Sequence, residues 1–215
     1  MPLPTFRVLS RLDLKIATGG FKEEERLGAG PRGEVFRGRL GAASVAIKIN
    51  LVDDGALKDP TVAKAYLKTL ILGGPPAHPN IVPVIGVALD GGVCTVTPLA
   101  PGGSLESRLQ ALTWFQRLKV ASGAFNGLEV LHAAKLVHGN LKATNILLAA
   151  DGLDGLIADI NTVAPSVDGM EQSVVNYYDP EYLAPGGQAK PSSDVYSMGV
   201  ILLELLTGLP PLMPT

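Results

Sequence analysis

The sequence predicts an α+β protein in which a strand-rich first half is followed by a mainly helical second half. Apolar residues alternate over short runs between about residues 21 and 97. The segment 113–133 is long and rich in Ala and Leu, and residues 193–207 have an apolar helical body. With 215 residues, 47% of them apolar and 18% charged, the chain can bury a substantial core. We therefore expect a folded domain.

The first half contains four strand-like runs separated by Gly, Asp and Asn, namely EVFRGRL, SVAIKIN, NIVPVIGVAL and GGVCTVTPL. Between them, residues 59–72 carry apolar side chains at spacings of three and four, at Val62, Tyr66, Leu67 and Leu70. This spacing predicts one amphipathic helix. We expect it to be the only helix of the first half.

The second half begins with a predicted helix over residues 113–133, which places four apolar side chains on one face: Leu118, Ala121, Leu128 and Leu131. A loop with short strands follows, then a polar stretch without periodicity over residues 161–179. A last helix is predicted over residues 193–207, because Ser and Asp precede an apolar body and Gly208 and Pro210 form a stop signal.

Composition limits the partners and the setting. The net charge is -2 and no long basic run occurs, so we expect no nucleic-acid partner. The single Cys94 excludes an internal disulfide framework and favours a reducing, cytoplasmic compartment. The most apolar segment is short and contains Glu204, so we expect no transmembrane segment. Membrane association through a receptor partner stays open.

A glycine-rich loop occupies residues 28–35, GAGPRGEV, with the pattern G-x-G-x-x-G-x-V at Gly28, Gly30, Gly33 and Val35. A dinucleotide-binding loop would open a helix, whereas strand-like sequence follows here, so the pattern favours a flap over phosphates. Lys48 ends the later motif VAIK, where a strand would direct its ammonium group toward those phosphates. A surface turn and a solvated lysine are the open alternative.

Residues 138–148, HGNLKATNILL, follow the predicted long helix and fit the pattern H-x-x-L-K-x-x-N of a kinase catalytic loop. The motifs ADIN, DPEY and SDVYSMGV come after it in the order expected for the metal loop, the end of the activation segment and the central helix. In these motifs the chain resembles eukaryotic protein kinases, especially plant receptor-like and receptor-like cytoplasmic kinases. The resemblance runs from about residue 6 to residue 208.

The resemblance implies a two-lobed kinase-like fold with ATP and Mg²⁺ as cofactors. The N-lobe, residues 21–97, would be an antiparallel sheet with one helix, preceded by an extension over residues 1–20. A hinge over residues 98–101 would lead to a mainly helical C-lobe over residues 102–215. Because the family's C-lobe continues with further helices, we expect this C-lobe to be incomplete, either as a truncation or with apolar surface left for a partner.

The resemblance also assigns residues to adenine recognition. Thr97 falls at the gatekeeper position, before a hinge of Pro98, Leu99 and Ala100. Pro98 lacks an N–H but keeps the carbonyl that accepts from the adenine amino group, and Ala100 keeps the N–H needed next. The purine would lie between three apolar side chains, for which core packing is an equal alternative: Val35, Ala46 and Leu147.

The same resemblance makes Asn145 and Asp159 the presumed magnesium ligands, and Lys48 and Lys142 the phosphate-facing cations. Asn140, however, stands where the family has the aspartate that accepts the substrate hydroxyl's proton. An amide has no useful basicity, and loss of a positioned base costs about 10²- to 10⁴-fold in rate. We expect slow or absent turnover.

Two further departures concern regulation and support. Residues 59–72 contain no glutamate that could tether Lys48. Gly139 replaces an arginine that would pair with phosphate on the activation segment, where the candidate acceptors are Thr162, Ser166, Ser173, Tyr177 and Tyr178. The resemblance also implies that Asp194 contacts the backbone of the catalytic loop and that His138 supports the metal loop.

Three functions stay open. The first is a pseudokinase that binds ATP and serves as a signalling switch or scaffold. The second is a working Ser/Thr protein kinase in which Lys142, Asn145 and Asp159 act with bound metal while Asn140 only orients the substrate hydroxyl. The third is a degenerate kinase fragment that acts only as a protein-interaction module. A protein partner or substrate is expected in each.

Overall fold

The computed structural model describes residues 6–30, 33–50, 74–160 and 175–211. The chain divides into two compact units. Unit 1 consists of Met1–Gly74 and Pro83–Leu99, and unit 2 of Pro75–Val82 and Ala100–Thr215. The predicted α+β class is confirmed, with the sheet in unit 1 and the long helices in unit 2. The segment Pro75–Val82 lies inside the predicted N-lobe range of 21–97, yet it belongs to unit 2.

The described part of unit 1 contains a six-stranded sheet in the order β1-β5-β6-β4-β3-β2. Its strands are β1 Arg7–Val8, β2 Arg26–Gly30, β3 Gly33–Leu40, β4 Ala43–Asn50, β5 Gly86–Ala88 and β6 Cys94–Pro98. Neighbouring strands are antiparallel, except that β1 pairs with β5 in parallel. Of the predicted run NIVPVIGVAL, only Gly86–Ala88 forms a strand of this sheet, because Pro83 cannot donate to a ladder.

One face of this sheet packs against a short helix, α1 Arg11–Ala17, whose Leu14 is fully buried among Val45, Ile47 and Val96. The expectation of a single helix in the first half was therefore wrong. Ser10 and the acid three residues on, Asp13, form a capping box that stabilises this seven-residue helix. The helix predicted over residues 59–72 lies outside the described residues.

Unit 2 contains the helices α2 Leu105–Arg108, α3 Trp114–Ala133, α4 Pro180–Leu183 and α5 Pro191–Thr207. A two-stranded sheet pairs β7 Ile146–Leu148 with β8 Gly155–Ile157. The two long helices are confirmed within two residues of their predicted starts, and so are the short strands that follow α3. The polar stretch predicted over residues 161–179 lies outside the described residues as far as residue 174.

Helix α3 packs closely because its buried face is centred on small residues. A Cβ added at Gly123 would lie 2.7 Å from Asn80 Nδ2 and 2.7 Å from Gly155 O, so both neighbours approach the helix backbone directly. Ala121, Leu128 and Leu131 are buried as predicted, but Leu118 is 51% exposed and its placement on this face was wrong. The prediction considered only apolar side chains with helical spacing. It missed that glycines form part of the buried face, which lies away from Leu118.

The C-terminal end of α5 is fixed by side chains from the region of α2 and α3. Gly208 ends the helix in a left-handed conformation with φ 71°, as the predicted stop signal requires. The Arg117 guanidinium donates to three backbone carbonyls, those of Leu109, Leu112 and Leu205. Within the described ranges, none of the helices is both long and apolar enough to cross a membrane.

Candidate functional site

The glycine-rich loop lies between two antiparallel strands of unit 1. Gly28 pairs with Val35, and Gly30 pairs with Gly33, across β2 and β3. A strand rather than a helix follows the glycines, which excludes the dinucleotide-binding alternative. Gly33 has φ 143°, and a Cβ there would lie 2.0 Å from Ile49 O, so only glycine fits. Among the residues that the structure describes, no atom lies within 4 Å of a Cβ added at Gly28 or Gly30.

The strand register brings four predicted nucleotide-site residues to one sheet face. Val35 lies opposite Lys48, and Ala46 lies opposite Thr97. Opposite residues share a face, and residues two apart on a strand do so as well, so Val35, Ala46, Lys48 and Thr97 lie together. All four are half-buried, whereas Phe36, Ile47 and Val96 on the other face are buried in the core. The sheet therefore presents a partly open face that ends in the predicted hinge.

The predicted hinge residues lie where the chain leaves unit 1. Pro98 is the last residue of β6 and pairs with Val45. The Leu99 N–H donates to Ser44 O at 3.1 Å, and unit 2 begins with Ala100. Pro98 and Ala100 are both half-buried. The predicted purine neighbour in unit 2, Leu147, is the middle residue of β7 and is half-buried too.

A buried carboxylate organises the start of the catalytic loop. Asp194, in the first turn of α5, accepts from the His138 N–H and from the Gly139 N–H, each at 2.8 Å. His132 Nε2 lies 2.9 Å from the same carboxylate. Asp194 is 1% exposed, and these hydrogen bonds offset the free energy that burial of its carboxyl group costs. The predicted contact between Asp194 and the loop backbone is confirmed.

His138 ties the catalytic loop to the segment before Asp159. Its Nδ1 accepts from the Asn140 N–H at 3.2 Å, which leaves Nε2 to donate to Ala158 O at 2.9 Å. Burial lowers the pKa of His138, in keeping with a neutral ring that has one donor and one acceptor nitrogen. The predicted support of the metal loop by His138 is confirmed.

The two predicted magnesium ligands lie on segments that are hydrogen-bonded to each other. The Ala158 N–H donates to Asn145 O at 2.9 Å, next to Asp159. Asn145 Nδ2 donates to Asn140 O at 2.8 Å, so the amide nitrogen is engaged and Oδ1 is the atom suited to a cation. Asp159 has φ 61°, a left-handed conformation in which Asp is enriched among non-glycine residues. Such outliers cluster at functional sites.

Asn140, which stands in the place of the acid, is engaged by another side chain. Its Oδ1 accepts from Tyr178 Oη at 3.1 Å, and both residues are buried. Its Nδ2 is buried without a hydrogen-bond partner in the described part of the chain, which costs about 1–3 kcal/mol. Lys142, two residues on, is half-buried. The sequence gives no signal for the Tyr178 contact, since it joins residues 38 positions apart.

A second tyrosine, Tyr177, is hydrogen-bonded to Glu204 on α5. Tyr177 Oη is 2.9 Å from each carboxylate oxygen of Glu204, and Ser197 Oγ donates to Tyr177 O at 2.6 Å. Burial is the main cause that raises the pKa of Glu204 to about 7, and burial followed by the Glu204 charge raises the pKa of Tyr177. Tyr177 and Tyr178 are both buried, whereas Thr162, Ser166 and Ser173 lie outside the described residues.

The sequence model of the family described as "Protein tyrosine and serine/threonine kinase" matches residues 21–214. The chain therefore belongs to the protein kinase family, and the resemblance to this family is confirmed. It is 34% identical to the probable serine/threonine-protein kinase PBL18 of Arabidopsis thaliana, over 99% of this chain and 59% of that relative.

Two further relatives in Arabidopsis thaliana extend this comparison. The chain is 36% identical to the probable serine/threonine-protein kinase PBL7, over 91% of this chain and 55% of the relative. It is 31% identical to the L-type lectin-domain containing receptor kinase V.9, over 94% of this chain and 32% of the relative. The chain thus spans only part of the length of each relative.

Proposed function

We propose that this protein kinase domain binds Mg-ATP but transfers phosphate poorly or not at all, and that it serves as a pseudokinase switch or scaffold. The proposal rests on the chemistry of the Asn140 side chain and on its contact with Tyr178. Its amide has no useful basicity, and its oxygen already accepts a hydrogen bond from Tyr178. A catalytic base must reach the proton that it abstracts and must have a pKa near the working pH. Asn140 meets neither requirement.

The residues present suit a bound magnesium nucleotide. Mg²⁺ prefers carboxylate and amide oxygens, and Asp159 and Asn145 supply one of each on hydrogen-bonded segments. Bound Mg-ATP would supply the γ-phosphoryl group and the charge that neutralises it. Asn145 and Asp159 would hold the metal, and Lys142 would face the transferred phosphate. Lys48 would pair with the remaining phosphates beneath the flap of residues 28–35.

The adenine would be recognised by the half-buried sheet face and the hinge. Val35 and Ala46 offer apolar contact on the same face as Lys48 and Thr97. The Pro98 carbonyl would accept from the adenine amino group, and the Ala100 N–H would donate to the ring. Bound nucleotide would then stabilise the folded domain without driving chemistry.

A working Ser/Thr kinase is the second candidate. It is favoured by the hydrogen bond between the segments that carry Asn145 and Asp159, and by similarity to PBL18 and PBL7, which are probable serine/threonine-protein kinases. In that case Asn140 would only orient the substrate hydroxyl. Either function implies a protein partner or substrate, and we propose a cytoplasmic setting, with any membrane association made through a receptor partner.

Thermal melting with and without Mg-ATP tests the proposed binding. Ligand at about 100 times its Kd adds about 2.7 kcal/mol to the stability of the folded state, so we expect a clear rise in the melting temperature. Lys48→Met should reduce this rise, whereas Lys15→Met, which changes an exposed lysine on α1, should leave it unchanged. No shift at millimolar Mg-ATP would rule out both the pseudokinase switch and the working kinase.

A further inference from the structure

The Tyr178 hydroxyl is hydrogen-bonded to Asn140, the side chain to which a substrate hydroxyl would have to bind. Tyr178 Oη donates to Asn140 Oδ1 at 3.1 Å. In protein kinases, the residue at this place in the catalytic loop receives the hydrogen bond of the attacking hydroxyl. Tyr178 supplies a hydroxyl group to that same oxygen from within the chain. A substrate hydroxyl and Tyr178 would therefore compete for one acceptor.

We infer that Tyr178 is an internal occupant of the acceptor-hydroxyl position and closes it against substrate. This inference rests on the proposed function, because it takes Asn140 as the residue in the place of the catalytic acid. It goes beyond that function by adding a second obstacle to transfer. The exchange of acid for amide removes the base, and the Tyr178 phenol blocks the oxygen that would remain to orient a substrate.

The surroundings of Tyr178 hold the phenol in this position. Its ring lies 5.4 Å from the Tyr182 ring, centroid to centroid, in a tilted arrangement. The preceding residue, Tyr177, is fixed by its hydroxyl to Glu204 and by its carbonyl to the Ser197 hydroxyl. The following residue, Asp179, caps α4 by accepting from the Glu181 N–H. Residues on both sides of Tyr178 are thus anchored to unit 2.

The pair is nevertheless poised to open. Asn140 Nδ2 is buried without a partner among the described residues, so the closed arrangement satisfies only the oxygen of this amide. Displacing Tyr178 would admit water or a substrate group to both ends of the amide. The closed state therefore lacks one hydrogen bond that an open state could form. A partner that binds Tyr178 or the segment beside it would shift this balance.

A double-mutant cycle measured without nucleotide tests the contact. Tyr178→Phe removes one hydroxyl, and we expect it to lower the melting temperature by about 2–6 °C. In the background of Asn140→Ala the same change should cost less than about 1 °C, because the hydrogen-bond partner is gone. The exposed Tyr196 gives the matched control, and Tyr196→Phe should have no effect in either background. Equal losses from Tyr178→Phe in both backgrounds would overturn the inference.

Phosphate transfer to myelin basic protein tests the closure itself. Asn140→Asp restores an acid, and Asn140→Asp combined with Tyr178→Phe also frees it. We expect the double variant to transfer at least about tenfold faster than Asn140→Asp alone, since a positioned base contributes about 10²- to 10⁴-fold when it can reach the substrate. Equal rates in variants that still melt higher with Mg-ATP would overturn the closure. If Mg-ATP gives no melting shift, the proposed function fails, and the nucleotide-free cycle decides on the contact.

Discussion

The two units position their candidate functional residues by different physical means. In unit 1, backbone pairing sets the arrangement, since the register of β3, β4 and β6 alone brings Val35, Lys48 and Thr97 to one face. In unit 2, buried polar side chains set it, since Asp194 and His138 fix the catalytic loop through hydrogen bonds. A sheet face tolerates many side chains, whereas a buried network depends on each member.

Under the proposed function, this difference would let a kinase domain lose its chemistry and keep its fold. The network around Asp194 is complete, because its carboxylate accepts from two backbone N–H groups and contacts His132. One residue further along, Asn140 keeps a backbone N–H bond to His138 while its side chain has lost the acid. The loop thus keeps its backbone hydrogen bonds to Asp194 and His138, although residue 140 is an amide and not an acid.

The largest expected effect comes from breaking the unit 2 network at its centre. Asp194→Ala removes the acceptor of the His138 and Gly139 N–H groups and leaves both donors buried. We expect a loss of about 3–5 kcal/mol in the free energy of unfolding, measured by urea denaturation. The control, Asp154→Asn, changes an exposed acid before β8 and should stay within about 0.5 kcal/mol. A loss below that range for Asp194→Ala would mean that the buried network is not what holds this loop.

A smaller effect is expected from the unit 1 sheet. Gly33→Ala places a Cβ 2.0 Å from Ile49 O at a φ of 143°, so β3 must shift against β4. We expect a loss of about 1–3 kcal/mol in the free energy of unfolding. Gly28→Ala is the matched control in the same loop, because no atom of the described part of the chain lies within 4 Å of a Cβ added there. Equal effects of the two changes would contradict the register described for this hairpin.

The buried pair of Tyr177 and Glu204 predicts a pH dependence. The pKa of Glu204 is raised from 4.5 to about 7, so the folded chain binds a proton that the unfolded chain releases within this window. Stability from this group is fully present below pH 4.5 and is lost as pH rises to about 7. Tyr177 and Glu106 are the titratable groups that act on it.

Glu204→Gln should remove this loss, because an amide does not ionise. Relative to the unchanged chain, the variant should gain about 1–2 kcal/mol between pH 5 and pH 7.5, measured by denaturant unfolding at each pH. His138, whose pKa is lowered, adds the opposite trend below pH 6.5 to both proteins and cancels in the difference. The exposed Glu129→Gln serves as the control. A pH-independent difference would show that Glu204 does not titrate in this range.

The regular elements were the part of the fold that local sequence could predict. The strands β3 to β6 and the helices α3 and α5 follow from alternation, from apolar spacing and from Gly208 as a stop, whereas β1 lies in the predicted N-terminal extension and was not predicted. Helix α1 was missed because seven residues are too few to show a clear helical period. The capping box of Ser10 and Asp13 was the signal in the sequence that could have predicted it. Leu118 was misplaced because the buried face of α3 is made of small residues.

The candidate site also has one part that the sequence predicted and one part that it could not. Ordered motifs predicted the roles of Asp194 and His138, and their contacts agree with those roles. The Tyr178 contact with Asn140 and the raised pKa of Glu204 arise from packing between distant segments, which no local pattern encodes. Sequence therefore indicated what residue 140 has lost, and only the structure shows what its side chain contacts instead.

The most direct test of the central claim is phosphate transfer by the unchanged chain at saturating Mg-ATP, followed from labelled γ-phosphate over hours. We predict no more labelled protein than in the Lys48→Met blank, because Asn140 cannot act as a base and the loss of a base costs about 10²- to 10⁴-fold. Steady transfer well above this blank, at a rate that Asn140→Asp does not increase, would contradict the account and identify the domain as a working kinase.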